Sequence, residues 1–123
     1  MERKRVLVVD DEADIRDHLK SILEGYDLEV TTAENGKQAL NLAFDSDFDI
    51  VVLDINLPDI DGGEVANRLS RNPKTASVPV IYLTGLITKK EKKDPEKLGK
   101  HFVIAKPVLK GELLETITRV LGR

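Results

Sequence analysis

Residues 50–62 read IVVLDINLPDIDG. Ile50, Val51, Val52 and Leu53 form an unbroken apolar run, and Asp54 ends it. A strand with one solvated face alternates apolar and polar residues. An unbroken run is expected of a strand covered on both faces, as in a parallel sheet flanked by helices. Asp59, Asp61 and Gly62 then read as a turn and helix cap, with Glu64 completing a capping-box-like pair. Val65, Ala66 and Leu69 follow as a helical stripe. This one stretch carries a covered strand, an acidic strand end, a turn and a helix.

The same pattern extends in both directions. Arg5 to Asp10 (RVLVVD), Leu28 to Thr32, Val78 to Thr84 (VPVIYLT) and Phe102 to Ala105 also read as strands. Between them run amphipathic stripes: Ile15, Leu19, Ile22 and Leu23; Ala39, Leu40, Ala43 and Phe44; and, at the end, Leu113, Leu114, Ile117, Val120 and Leu121. The crossover at residues 86–99 is weaker. Its apolar residues lie only at its ends, and Pro95 interrupts any continuous helix, with Asp94-Pro95 reading as a fresh helix start. Strict strand–helix alternation predicts an α/β fold: an open, doubly wound five-stranded parallel sheet with right-handed crossovers, too short for a closed barrel.

Composition agrees with one such domain over residues 1–123. The chain is 41% hydrophobic and 33% charged, enough for one core and a solvated surface. It has no cysteine, which excludes a disulfide scaffold, a thiolate zinc site and a cysteine nucleophile. There is no apolar run of membrane-spanning length and no secretory cleavage pattern, so a cytoplasmic location is expected. Residues 1–64 hold 17 acids and 6 bases, and residues 65–123 hold 5 acids and 13 bases. With 5 aromatics in the chain there is little to stack on bases, so the halves are read as interleaved in one fold, without nucleic acid as a partner. The lysines of residues 89–100 read as a solvated face.

Ligands of open parallel sheets sit outside the carboxyl ends of the strands. Those ends carry Asp10-Asp11-Glu12, Asp54, Thr84-Gly85 and Lys106-Pro107. Each residue alone has a plain explanation: Asp11 as a helix cap, Asp54 as a solvated strand end, Thr84 as a β-former, Lys106 as a surface lysine. Four signals at four strand ends converge on one edge. Clustered carboxylates repel and call for a cation, and oxygen-only ligands favour a hard ion such as Mg²⁺. A carboxylate beside it can attack phosphorus and form an acyl phosphate, with a lysine and a hydroxyl as the remaining equipment. A flavin phosphate is repelled by the acidic first loop. GxGxxG and Walker motifs are absent, and DINLPDIDG fails as a calcium loop because Pro58 and Asp59 stand at the wrong positions. His18 and His101 receive no role.

Taken together, VLVVDDE, VVLDINLPDIDG, VPVIYLTG and AKPV, in this order and spacing, resemble the receiver domain of two-component response regulators. The resemblance implies a flavodoxin-like (βα)5 fold with strand order 2-1-3-4-5. It implies Asp54 as phosphoacceptor, with Thr84 and Lys106 contacting the phosphoryl group. It implies Asp10, Asp11, Asp54 and the Asn56 carbonyl as Mg²⁺ ligands, and a cis Lys106-Pro107 bond. Gly85 fits the small residue expected after Thr84. The implied partners are a histidine kinase or histidine phosphotransfer protein, and a downstream effector or homodimer partner; no membrane is among them. The chemistry is self-phosphorylation and autodephosphorylation, not turnover of a separate substrate. The family's switch aromatic falls at Val103 here, and Phe102 should point to the other face. That departure sustains an alternative, a phosphate-independent receiver-like protein-binding module. A Mg²⁺-dependent phosphohydrolase is disfavoured because Asn56 stands where its second acid would be.

Overall fold

A computed structural model describes residues 3–85 and 102–122. The elements run β1 (Arg5–Val9), α1 (Ala13–Gly25), β2 (Glu29–Ala33), α2 (Gly36–Asp45), β3 (Ile50–Asp54), α3 (Gly62–Arg71), β4 (Val80–Thr84), β5 (Phe102–Ala105) and α4 (Lys110–Leu121). All five strands are parallel, in the order β2-β1-β3-β4-β5. The weak crossover at 86–99 and His101 lie outside the described residues.

The unbroken runs are explained by two cores, one on each side of the sheet. Leu7 and Val9, Val51 and Leu53, and Val80 and Tyr82 join Ala39, Leu40, Val65 and Leu69 of α2 and α3. Val6 and Val8, Ile50 and Val52, and Ile81 and Leu83 join Leu19, Leu23, Leu113 and Ile117 of α1 and α4. Successive residues of each central strand thus bury on opposite faces, so no position is left for a polar residue. Strand boundaries shift slightly from the expected ones. β4 begins at Val80 because Pro79 has no N–H for the ladder and the Val78 N–H is used in a turn to the Thr75 carbonyl, at 3.0 Å. β2 begins at Glu29 because the Leu28 N–H closes α1 on the Leu23 carbonyl, while Asp27 takes a left-handed conformation (φ 63°).

The segment after β3 is held tightly against it. The Gly62 N–H donates to the Ile55 carbonyl at 2.8 Å. A Cβ on Gly62 would lie 2.5 Å from the Asp54 carbonyl oxygen and 2.7 Å from the Ile55 Cα. Glycine is needed here because two backbone segments touch. Asp61 caps α3, its carboxylate accepting from the Glu64 N–H at 3.0 Å. Glu64 does not return the bond; its carboxylate takes the Arg68 Nε at 3.2 Å.

Candidate functional site

Strand alternation sets the site. Asp10 continues the Val6–Val8 side of β1, Asp54 the Ile50–Val52 side of β3, and Lys106 the Phe102–Ile104 side of β5. All three leave the sheet edge on the side of α1 and α4, and the long Lys106 side chain reaches past β4. Its Nζ lies 2.9 Å from Asp10 Oδ2 and 3.3 Å from Asp54 Oδ2. Both carboxylates are buried, at 0% and 2% exposure, so each depends on this ammonium. The Lys106-Pro107 bond is cis, as the resemblance implies.

The other carboxylate oxygens are bound locally. Asp10 Oδ1 accepts from the Glu12 N–H at 2.9 Å, and Asp54 Oδ1 accepts from the Asn56 N–H at 3.1 Å. Burial pushes the Asp54 pKa up. The Asn56 hydrogen bond pulls it down, the neighbouring Asp10 charge pushes it up, and Lys106 pulls it down, with the net shift upward. For Lys106, burial alone would lower the pKa, but the bond to Asp10 and the charges of Asp10 and Asp54 outweigh it and raise the pKa.

Asp10, Asp11 and Glu12 can bring one carboxylate oxygen each within 4.8 Å of one another, a grouping able to hold a metal ion. Asp10 Oδ2 is buried, and among the described residues its close partner is the Lys106 ammonium at 2.9 Å. A buried oxygen of this kind beside two exposed carboxylates suits a hard divalent cation. Asp11 is not used as a helix cap: the residue before α1 is Glu12, which makes no side-chain cap.

Thr84 is buried at the end of β4, on the Tyr82 side of the pleat, and its carbonyl accepts the Lys106 N–H at 2.9 Å. Asn56 is exposed just beyond Asp54. Among the described residues, no atom lies within 4 Å of a notional Cβ on Gly85. Val103 stands opposite Tyr82 in the β4–β5 register and packs in its core, while Phe102 points into the other core, as alternation predicts.

Glu12 joins the acidic grouping, in keeping with its place in the run Asp10-Asp11-Glu12 at the strand end. One contribution escapes the linear reading: Arg16 is signalled only by lying on the first turn of α1. Its Nη1 donates to the Asp10 carbonyl at 2.8 Å and its Nη2 lies 3.8 Å from Glu34.

A family model described as response regulator receiver domain matches residues 6–118. Protein PilH of Pseudomonas aeruginosa is 32% identical over 118 residues, which span 96% of this chain and 98% of PilH. The phosphate regulon transcriptional regulatory protein PhoB of the same organism is 37% identical over 120 residues, 98% of this chain. The chain spans about half the length of PhoB, 52%. The crystal structure of chemotaxis protein CheY4 of Vibrio cholerae superposes with a TM-score of 0.87 at 30% identity, covering 98% of this chain and 100% of that one.

Proposed function

The chain belongs to the response regulator receiver domain family of two-component systems, and from that premise we propose that Asp54 is its phosphoacceptor, with residues 1–123 acting as one receiver domain. The donor is the phosphohistidine of a histidine kinase or histidine phosphotransfer protein. The observation that carries this reading is the pair of buried carboxylates, Asp10 and Asp54, sharing one ammonium at the carboxyl edge of the sheet.

In the transfer, an Asp54 carboxylate oxygen attacks phosphorus. The P–N bond of the phosphohistidine breaks, its electron pair stays with the imidazole nitrogen, and an acyl phosphate remains on Asp54. Burial raises the Asp54 pKa in the metal-free chain, so a cation beside it would favour the ionised form that attacks. Lys106 offers its charge to the incoming phosphoryl oxygens, and the Asn56 N–H orients the carboxylate through Oδ1. Asp10, Asp11 and Asp54, with the Asn56 carbonyl, would hold Mg²⁺, and Glu12 is close enough to assist. Mg²⁺ supplies charge neutralisation for the phosphoryl oxygens when bound. The new charge, about −1.5 to −2 by analogy with other phosphorylated side chains, draws Thr84 and Lys106 toward Asp54. The surface built on β4 and β5 then changes for an effector or a second copy. The chain acts on itself, and its turnover is limited by the lifetime of its own acyl phosphate.

Intact-mass spectrometry after incubation with acetyl phosphate tests the reading. One added phosphoryl group is expected in wild type with Mg²⁺, and none with chelator or in Asp54→Asn. A folded wild type that takes up nothing supports instead the phosphate-independent binding module, for which Val103 at the usual aromatic position is the motivating feature.

A further inference from the structure

The segment Ile55–Asp61 leaves the end of β3 and carries Asn56, whose N–H holds Asp54 Oδ1. Its base is closed by the Gly62 N–H on the Ile55 carbonyl. Its far end is bound to a different element altogether. Asp59 Oδ1 accepts from the Gly36 N–H at 2.8 Å, and Oδ2 from the Lys37 N–H at 2.9 Å. These are the first two residues of α2, more than twenty positions earlier in the chain. Helix α2 has its own cap, Asn35, whose side chain takes the Gln38 N–H at 2.8 Å. Asp59 therefore satisfies the two remaining donors of that first turn, and its charge lies at the positive end of the helix dipole. The contact is close in its backbone as well: a Cβ on Gly36 would lie 2.9 Å from Val65 Cγ2 and 3.1 Å from Ile60 Cβ.

We propose that Asp59 is a positioning residue for the phosphoacceptor, clasping the β3–α3 segment to the N-terminus of α2 so that Asn56 stays on Asp54. The proposal deepens the phosphoacceptor reading of Asp54 and rests on it. Both Asp59 oxygens are used on successive N–H groups, a charge-assisted, two-point attachment that a single turn residue does not need. Burial raises the Asp59 pKa, but the hydrogen bonds from Gly36 and Lys37, together with local ones from the Ile60 and Asp59 N–H groups, outweigh it and lower it, so the carboxylate favours its charged form. The sequence suggests a turn and a cap on the following helix for Asp59, Asp61 and Gly62; Asp59 instead bonds the start of α2, an element that precedes it in the chain.

The test compares wild type, Asp59→Ala and Asp59→Asn in the full chain by backbone amide exchange without metal, and by initial rate of acetyl phosphate labelling with Mg²⁺. In Asp59→Ala the Gly36 and Lys37 amides should exchange about tenfold faster or more, and the Asn56 amide should speed up with them. The β-sheet amides of Val8 and Val52 should be unchanged. Labelling should slow several-fold in Asp59→Ala, with Asp59→Asn intermediate because one acceptor remains. Faster exchange at Gly36 and Lys37 alone, with Asn56 and labelling as in wild type, would reduce Asp59 to a helix cap and overturn the proposal. A uniform rise in exchange across the sheet would overturn it too, as a global stability effect. If wild type takes no phosphate at all, the phosphoacceptor reading fails, and unchanged Asn56 exchange in Asp59→Ala would separately reject the clasp.

Discussion

Asp54 is subject to opposing demands. It is buried, which disfavours its charge, and it shares an ammonium with Asp10, which favours it. Its pKa is raised on balance, so the folded chain holds the proton more tightly than the unfolded chain does. A raised pKa contributes stability that is present below the unfolded value, 3.8 for an ordinary aspartate, and is lost as pH rises through the folded value. At neutral pH without metal, the ionised Asp54 is therefore a cost to the fold. Asp54→Asn should be as stable as wild type or more stable at pH 7, since Lys106 keeps Asp10 as its partner. The difference should vanish as pH falls below the ordinary carboxylate range. Urea denaturation in chelator, at neutral and acid pH, measures this, and a variant clearly weaker than wild type at pH 7 would contradict it. The identity of Asp54 was legible because it ends an apolar run. The direction of its shift was not, because burial and the Lys106 distance depend on β5 folding next to β4.

At the scale of elements, the junction of β3 with α3 is the most constrained part of the site. Gly62 is buried with no room for a side chain, against the backbone of Asp54 and Ile55. Gly62→Ala should cost about 1–3 kcal/mol, the usual range for overpacking, because backbone and not a flexible side chain must yield. It should also slow phosphorylation, since the atom it displaces is the Asp54 carbonyl oxygen. Thermal denaturation beside acetyl phosphate labelling checks both, and an Ala variant of unchanged stability would show that the junction can relax. The motif DIDG announced a turn and a cap, and Asp61 does cap α3. The glycine's close approach and the reach of Asp59 to α2 were not legible, because both depend on how α2 and α3 lie side by side over the sheet.

Over the whole molecule, the acidic first half and the basic second half meet at the site: Asp10 and Asp54 come from one, Lys106 from the other. On the Mg²⁺ reading proposed above, a cation held by Asp10, Asp11 and Asp54 would link its binding to folding. Mg²⁺ should raise the denaturation midpoint, by about 2.7 kcal/mol of stability at a hundredfold excess over its Kd, and chelator should reverse it. Asp11→Asn should remove most of the gain with little effect on the metal-free fold, because Asp11 is exposed. A midpoint indifferent to Mg²⁺ would argue against the site. The sequence alone determined the fold class, the strands, the two-sided core and the strand-end residues, because periodicity and strand ends are local properties of the chain. Only the tertiary structure decided that Lys106 lies between Asp10 and Asp54 and that Asp59 binds α2. Each of these joins side chains to groups on other elements, and their distances are set by sheet order and helix packing.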